Sequence, residues 1–302
     1  VRLTPDAALR IAGDALARHG GGTGLRLLRA GEGPAQAHLF TAQTAAGPVL
    51  LKLWPESAAE RAARQARRQR QVARSLRDGP YRVPGVTFFD AEARVLAMPL
   101  VTGQDLAALW SDSDTRAPQA AGGWLAAYHG LTRRTCAFDP TGQVNWLARL
   151  VAAGESGART IPDLPGFTAA ARRVTALAQA ATGHATVRAV THRDMTLSNL
   201  ILDTDGTVWG IDLENSREDE PLRDLFTLAL DLRTQGPGDG EQAATQLSQA
   251  YGDTGTDPQV RLALQGCFCL WVWANTPLTP SIRQTRRLEV AEALLRRDTP
   301  AI

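Results

Sequence analysis

His192-Arg193-Asp194-Met195-Thr196-Leu197-Ser198-Asn199 leads into Leu200-Ile201-Leu202, an Asp203-Thr204-Asp205-Gly206 turn and Trp209-Gly210-Ile211-Asp212-Leu213-Glu214. Two short apolar runs around an Asp/Gly turn predict a β-hairpin, which would bring Asp212 back beside Asn199. Two carboxylates and an amide oxygen are thereby gathered within a few residues. Roughly 140 residues upstream, Val49-Leu50-Leu51-Lys52-Leu53-Trp54 reads as a buried strand carrying one cation. Lys52 is the only lysine among 33 basic residues. In a chain that uses Arg wherever a guanidinium serves, a retained ammonium points to a site needing one compact charge.

The His-Arg-Asp triplet with an Asn five residues after the Asp resembles the catalytic loop of protein kinases. In that chemistry Asp194 would orient the attacking hydroxyl and accept its proton. Asn199 and Asp212 would offer oxygen ligands to Mg²⁺, and Lys52 would meet the phosphates of ATP. More narrowly, the chain resembles the aminoglycoside phosphotransferase and choline kinase family, from about Leu25 to its last helices. Met98-Pro99-Leu100-Val101-Thr102-Gly103 resembles the hinge that meets adenine with its backbone, which implicates Ala97, Met98, Leu100 and Val101. Leu125-Ala126-Ala127-Tyr128-His129 resembles the helix that precedes the catalytic loop. Pro221-Leu222-Arg223-Asp224-Leu225 resembles an Asp-Pro-x-x-Asp-Leu segment in which Glu220 replaces the first Asp. The resemblance makes Asp224 a buttress of the loop and His192 a brace. It implies an α+β, two-lobed protein-kinase-like fold. Residues 1–98 would form a small antiparallel-sheet lobe with one main helix, 99–103 a hinge, and 104–302 a larger, mostly helical lobe.

A small-molecule acceptor is expected rather than a protein. Thr196 stands where Ser/Thr protein kinases carry a Lys, and Asp212 is followed by Leu213-Glu214 instead of Phe-Gly. Only about a dozen residues separate Asp212 from Asp224, too few for a long peptide-presenting segment. Two departures from the family pattern bear on rate. On the helix expected from about Glu56 to Leu76, Ala62, Gln65, Gln69, Val72 and Leu76 form the inward stripe. Gln69 then falls where the family's lysine-holding Glu belongs, so either Lys52 is held less firmly or Glu60 reaches it. The phosphate-covering loop Arg29–Gln36 has Gly31 and Gly33 for close backbone approach, but Pro34 removes an N–H donor.

Composition is that of an ordinary globular enzyme, with 44% hydrophobic and 21% charged residues and a net charge of +2. The arginines between Arg61 and Arg77 lack interleaved aromatics and read as a solvated helix face, so no nucleic-acid partner is expected. No stretch spans a membrane, and no protein partner is implied. Three cysteines without a metal spacing read as reduced thiols, consistent with the cytoplasm. For the acceptor, Glu214 would suit a cation. Trp271 would serve either core packing or cation–π contact with an amine. The expected function is ATP-dependent transfer of the γ-phosphate to a hydroxyl of an aminoglycoside-, amino alcohol- or sugar-like molecule. The alternatives are a degenerate kinase fold that holds nucleotide without transfer, or nucleotidyl transfer to a protein.

Overall fold

The computed structural model describes residues 3–33, 36–236 and 238–302. The chain begins with α1 (Pro5–Arg18), capped by Thr4, then β1 (Thr23–Arg29), β2 (His38–Thr44), β3 (Gly47–Leu53) and α2 (Ala59–Ser75). Next come β4 (Tyr81–Arg82), β5 (Phe88–Asp90), β6 (Val95–Pro99), β7 (Gln104–Asp105), α3 (Leu106–Ser111) and α4 (Arg116–Gly130). They are followed by β8 (Arg134–Ala137), α5 (Thr141–Glu155), α6 (Leu164–Ala180), β9 (Ala185–Thr191), β10 (Leu200–Leu202) and β11 (Val208–Gly210). The last elements are β12 (Arg217–Asp219), α7 (Leu222–Thr234), α8 (Gly240–Tyr251), α9 (Pro258–Ala274) and α10 (Ile282–Leu295).

Two compact units result. One holds the chain up to Gln104 together with Asn199–Ser216; the other holds Asp105–Ser198 and Arg217–Ile302. The first unit is built on an antiparallel sheet in the order β1-β2-β3-β6-β5. Side chains alternate across a strand, so β3 sends Val49, Leu51 and Leu53 to a core shared with Phe40 of β2 and Ala8, Ala12 and Leu16 of α1. The even positions face the other way. There Leu50 and Trp54 pack with Leu96, Met98 and α2 residues Ala62 and Ala66. Lys52 shares that parity. The expected inward stripe of α2 is buried as the periodicity required, Ala62, Gln65, Gln69 and Val72 included. β5 is short, starting only at Phe88.

The Asn199–Ser216 segment supplies the β10–β11 hairpin, paired from Leu200 with Gly210 to Leu202 with Val208, in a second sheet ordered β4-β11-β10-β7. A single boundary at residue 98 put this hairpin with the second lobe. The structure groups it with the first unit, where it brings Asp212 to Lys52. Gly103, at the end of the hinge segment, packs against this hairpin with φ near +144°; a Cβ there would stand 2.3 Å from the Leu202 carbonyl oxygen. Gly103→Ala should therefore lower stability by about 1–3 kcal/mol, read by denaturant titration. A substitution without effect would mean the contact yields easily.

The second unit is helical around a core of Leu147, Phe167, Val174, Leu270 and Trp273. Gly154 to Gly166 is less of a loop than its composition suggests. α5 continues through Gly154, and α6 starts at Leu164 because Asp163 caps the Gly166 amide at 3.2 Å. Burial pushes the Cys267 and Cys269 thiols up to about 12, so both remain protonated and unreactive. No helix among the described residues is long and apolar enough to cross a membrane.

Candidate active site

In the first unit the site is built on Lys52, which is only 5% exposed. A buried ammonium needs compensating charge, and two carboxylates provide it. Lys52 Nζ lies 2.6 Å from Asp212 Oδ1 and 2.8 Å from Glu214 Oε2. Trp54, two residues on along the same face of the chain, donates its indole N–H to Glu214 at 3.2 Å and lies 5.1 Å from the ammonium. Asp212 adopts a left-handed backbone with φ near +63° as the chain leaves β11. Ile211 N–H donates to the Asn199 carbonyl at 3.0 Å, which extends the hairpin register and sets Asn199 beside Asp212.

Lys52 is thus held without help from α2. Gln69 is fully buried, and its amide N–H donates to the Pro84 carbonyl at 2.7 Å. An amide carries its own donor and satisfies a backbone acceptor, which a carboxylate could not do. Glu60 is exposed near the start of α2. Both expected routes to Lys52 are replaced by Glu214. Two carboxylates against one ammonium leave one negative charge over. With the Asn199 amide this hard-oxygen donor set fits Mg²⁺.

The segments expected to meet nucleotide lie in the same unit. Ala97 and Met98 sit on β6, opposite Leu51 and Leu50 of β3. The Leu100 N–H donates to the Pro48 carbonyl at 3.0 Å, and the Ala97 carbonyl accepts from Thr87 N–H at 2.8 Å. Those two groups are committed to the sheet, so the adenine contact expected of this segment would fall to its other backbone groups. In the glycine loop, Gly31 is required by packing, since a Cβ would fall 2.6 Å from the Gln36 carbonyl oxygen. Glu32 and Gly33 point their amides at one acceptor, Gln36 Oε1, at 2.8 and 3.1 Å. The Gln36 side chain thereby satisfies both amides and ties the loop to its own far end. Pro34 lies outside the described residues.

In the second unit the loop from His192 carries Asp194. Met195 and Leu197 are fully buried and pin the loop inward, while Asp194 is exposed. Asp224, on the first turn of α7, accepts from His192 N–H at 2.6 Å and from Arg193 N–H at 2.9 Å. Arg193 needs that support because its φ is near +69°. The same carboxylate meets His129 Nε2 at 3.1 Å, and His129 Nδ1 meets the Tyr251 hydroxyl at 3.1 Å. Burial pushes the Tyr251 hydroxyl up to about 12, which keeps it a neutral partner. His192 is buried, its ring edge-on to Trp124. Asp224→Ala would strip two amides and a ring of their acceptor. It should cost about 1–3 kcal/mol, with the loss seen in thermal unfolding; unchanged unfolding would contradict the buttress.

Glu220, in place of the family's Asp, is buried against the Thr186 hydroxyl at 2.9 Å and Arg188 at 3.1 Å. Burial raises its pKa despite both partners. Of the two α9 tryptophans only Trp273 belongs to the core, where its indole donates to the Pro162 carbonyl at 2.8 Å. Trp271 is 37% exposed, stacked on Phe268, with the Arg223 guanidinium 5.8 Å from its ring. A ring already facing a guanidinium is a poor seat for a second cation. Trp54 is the contributor that the sequence reading passed over. Its signal was its parity with Lys52 on an otherwise apolar strand.

Residues 28–263 match the phosphotransferase enzyme family. No curated protein matches the chain in sequence. Among solved structures, aminoglycoside phosphotransferase APH(4)-Ia is 13% identical with a TM-score of 0.64, covering 94% of this chain and 96% of its own. Choline kinase LicA from Streptococcus pneumoniae is 16% identical with a TM-score of 0.59, covering 95% and 98%. Macrolide 2'-phosphotransferase MphH from Brachybacterium faecium is 18% identical with a TM-score of 0.58, covering 95% and 97%. At these identities the likeness establishes the protein-kinase-like fold. The family match extends over most of the chain and includes Lys52, Asp194, Asn199, Asp212 and Asp224, so the chain belongs to the phosphotransferase enzyme family.

Proposed function

We propose that this protein transfers the γ-phosphoryl group of ATP to a hydroxyl of a small polar molecule. The observation that carries the reading is Lys52, the only lysine, buried and paired with Asp212 at 2.6 Å. In this mechanism Asp194 accepts the hydroxyl proton at its carboxylate as the oxygen attacks. Lys52 contacts the non-transferring phosphates, and the loop carrying Gly31 and Gly33 covers them. The backbone between Ala97 and Val101 receives adenine. Asn199 and Asp212 would hold Mg²⁺, which supplies charge neutralisation at the phosphates. Positioning and electrostatics then carry most of the rate, as phosphoryl transfer requires.

Likeness to phosphotransferases named for aminoglycosides, macrolides and choline supports a small-molecule acceptor without choosing among them. The grounds for a disabled nucleotide-binding fold are Gln69 and Pro34. The first weakens because Lys52 has two other carboxylates, and the second lies outside the described residues. Buried, protonated thiols suit a reducing compartment such as the cytoplasm. The test is a coupled ADP-release screen with Mg·ATP over aminoglycosides, macrolides, amino alcohols, sugars and hydroxy amino acids, with Asp194→Asn as blank. One acceptor giving Asp194-dependent turnover supports the reading. Absence of Mg·ATP binding by calorimetry would overturn it.

A further inference from the structure

Within α7, the sequence Leu228-Ala229-Leu230-Asp231-Leu232 places one carboxylate in an apolar run, and Asp231 is fully buried. An apolar side chain would pack there without the cost of removing a charge from water. The charge has partners on two sides. Asp231 Oδ2 accepts from Leu197 N–H at 3.3 Å, within the loop that carries Asp194. Its Oδ1 meets Arg287 Nη1 at 2.5 Å and Arg283 Nη2 at 3.4 Å, both from α10.

Asp231 lies seven residues, or two helical turns, beyond Asp224, so both carboxylates leave α7 on the same side. Asp224 takes the amides of His192 and Arg193, and Asp231 takes that of Leu197. One helix therefore holds the loop on either side of Asp194. The two carboxylates differ in their counter-groups. Asp224 faces the imidazole of His129, whereas Asp231 faces guanidinium charge on a helix near the end of the chain. Arg287 is the firmer partner, at 17% exposure against 58% for Arg283. It sits one turn into a helix whose start is fixed by the Ser281–Gln284 capping box.

We propose that Asp231 and Arg287 are positioning residues for phosphoryl transfer: α10, through Arg287, sets the Asp231 carboxylate that holds the Leu197 backbone and hence the reach of Asp194. This rests on the reading of Asp194 as the proton acceptor. The competing account is a plain staple between α7 and α10, which would govern stability and nothing else.

The experiment uses the full chain with Arg287→Gln, Arg287→Lys, Asp231→Asn and Arg283→Gln. It measures amide exchange across residues 192–199, Mg·ATP affinity by calorimetry, and kcat on the acceptor found in the screen. Arg287→Gln should speed exchange in the loop about tenfold, as expected of a locally loosened segment. It should lower kcat by about tenfold or more through misplacement, while Mg·ATP affinity stays at the wild-type value. Arg287→Lys should restore most of both, and the exposed Arg283→Gln should change little. Loop exchange and kcat at wild-type values in Arg287→Gln, with only the unfolding temperature lowered, would overturn the proposal. Should Arg287→Gln fail to fold, Arg287→Lys and Asp231→Asn are judged on the same two readouts. If the wild type turns over no acceptor in the screen, the kcat readout falls away; the phosphotransfer reading is judged separately, by Mg·ATP binding. Loop exchange then still decides whether Arg287 orders the Asp194 segment: faster exchange supports it, and unchanged exchange overturns it.

Discussion

Asp194→Asn should lower turnover by about 10²–10⁴-fold, the usual range for removing a positioned general base, and should leave Mg·ATP affinity intact. The substitution is nearly isosteric, so the loop keeps its shape. Its backbone is fixed by other residues: Asp224 holds the amides of His192 and Arg193, and the buried side chains of Met195 and Leu197 anchor the turn. An exposed side chain can therefore change without disturbing the core. What would disappear is the carboxylate proposed to take the hydroxyl proton, since an amide is no base at neutral pH. Activity that remains would come from positioning and charge neutralisation, which the mutation does not touch. Steady-state kinetics beside calorimetry with Mg·ATP separates the two effects. Turnover at the wild-type rate would remove Asp194 from the chemistry. Loss of nucleotide binding along with turnover would mean that the loop had lost its shape.

How much of this was legible beforehand depended on how local each cause is. The β10–β11 hairpin could be read because its turn residues and apolar flanks are contiguous in sequence. The buried stripe of α2 could be read because helical periodicity is a property of one segment. The partners of Lys52 could not be read in the same way. Asp212 and Glu214 lie about 160 residues downstream, and which carboxylate closes on the ammonium is settled by how the hairpin packs. The family pattern pointed to the Gln69 position, but an amide can satisfy the Pro84 carbonyl and so turns away. The commitment of Leu100 N–H to Pro48 was likewise invisible until the register of β3 and β6 was known. Asp231 did leave a trace, an acid inside the apolar run Leu228–Leu232 two turns after Asp224. Such a residue is costly enough to bury that its presence alone was reason to look for a partner.

The lysine gives the sharper test of whether composition carried information. Lys52→Arg keeps the positive charge and adopts the residue this chain uses everywhere else, yet it should weaken Mg·nucleotide binding by about 10–100-fold. That range corresponds to losing one charge-assisted hydrogen bond of roughly 1.5–3 kcal/mol. The reason is shape. Asp212 and Glu214 converge on a single nitrogen at 2.6 and 2.8 Å, and the site is closed on one side by Trp54. A guanidinium is planar, longer and spreads its donors in a fork suited to one carboxylate at a time. To fit, it would have to displace Glu214 from the Trp54 indole or carry its charge past Asp212. In both cases the point charge leaves the position from which it would meet phosphate. The strand itself should survive, because Leu51 and Leu53 hold its other face in a separate core. Calorimetry with a non-hydrolysable ATP analogue and Mg²⁺, alongside thermal unfolding, measures both terms. Wild-type affinity in Lys52→Arg would mean that the one lysine left in an Arg-rich chain stayed there by chance.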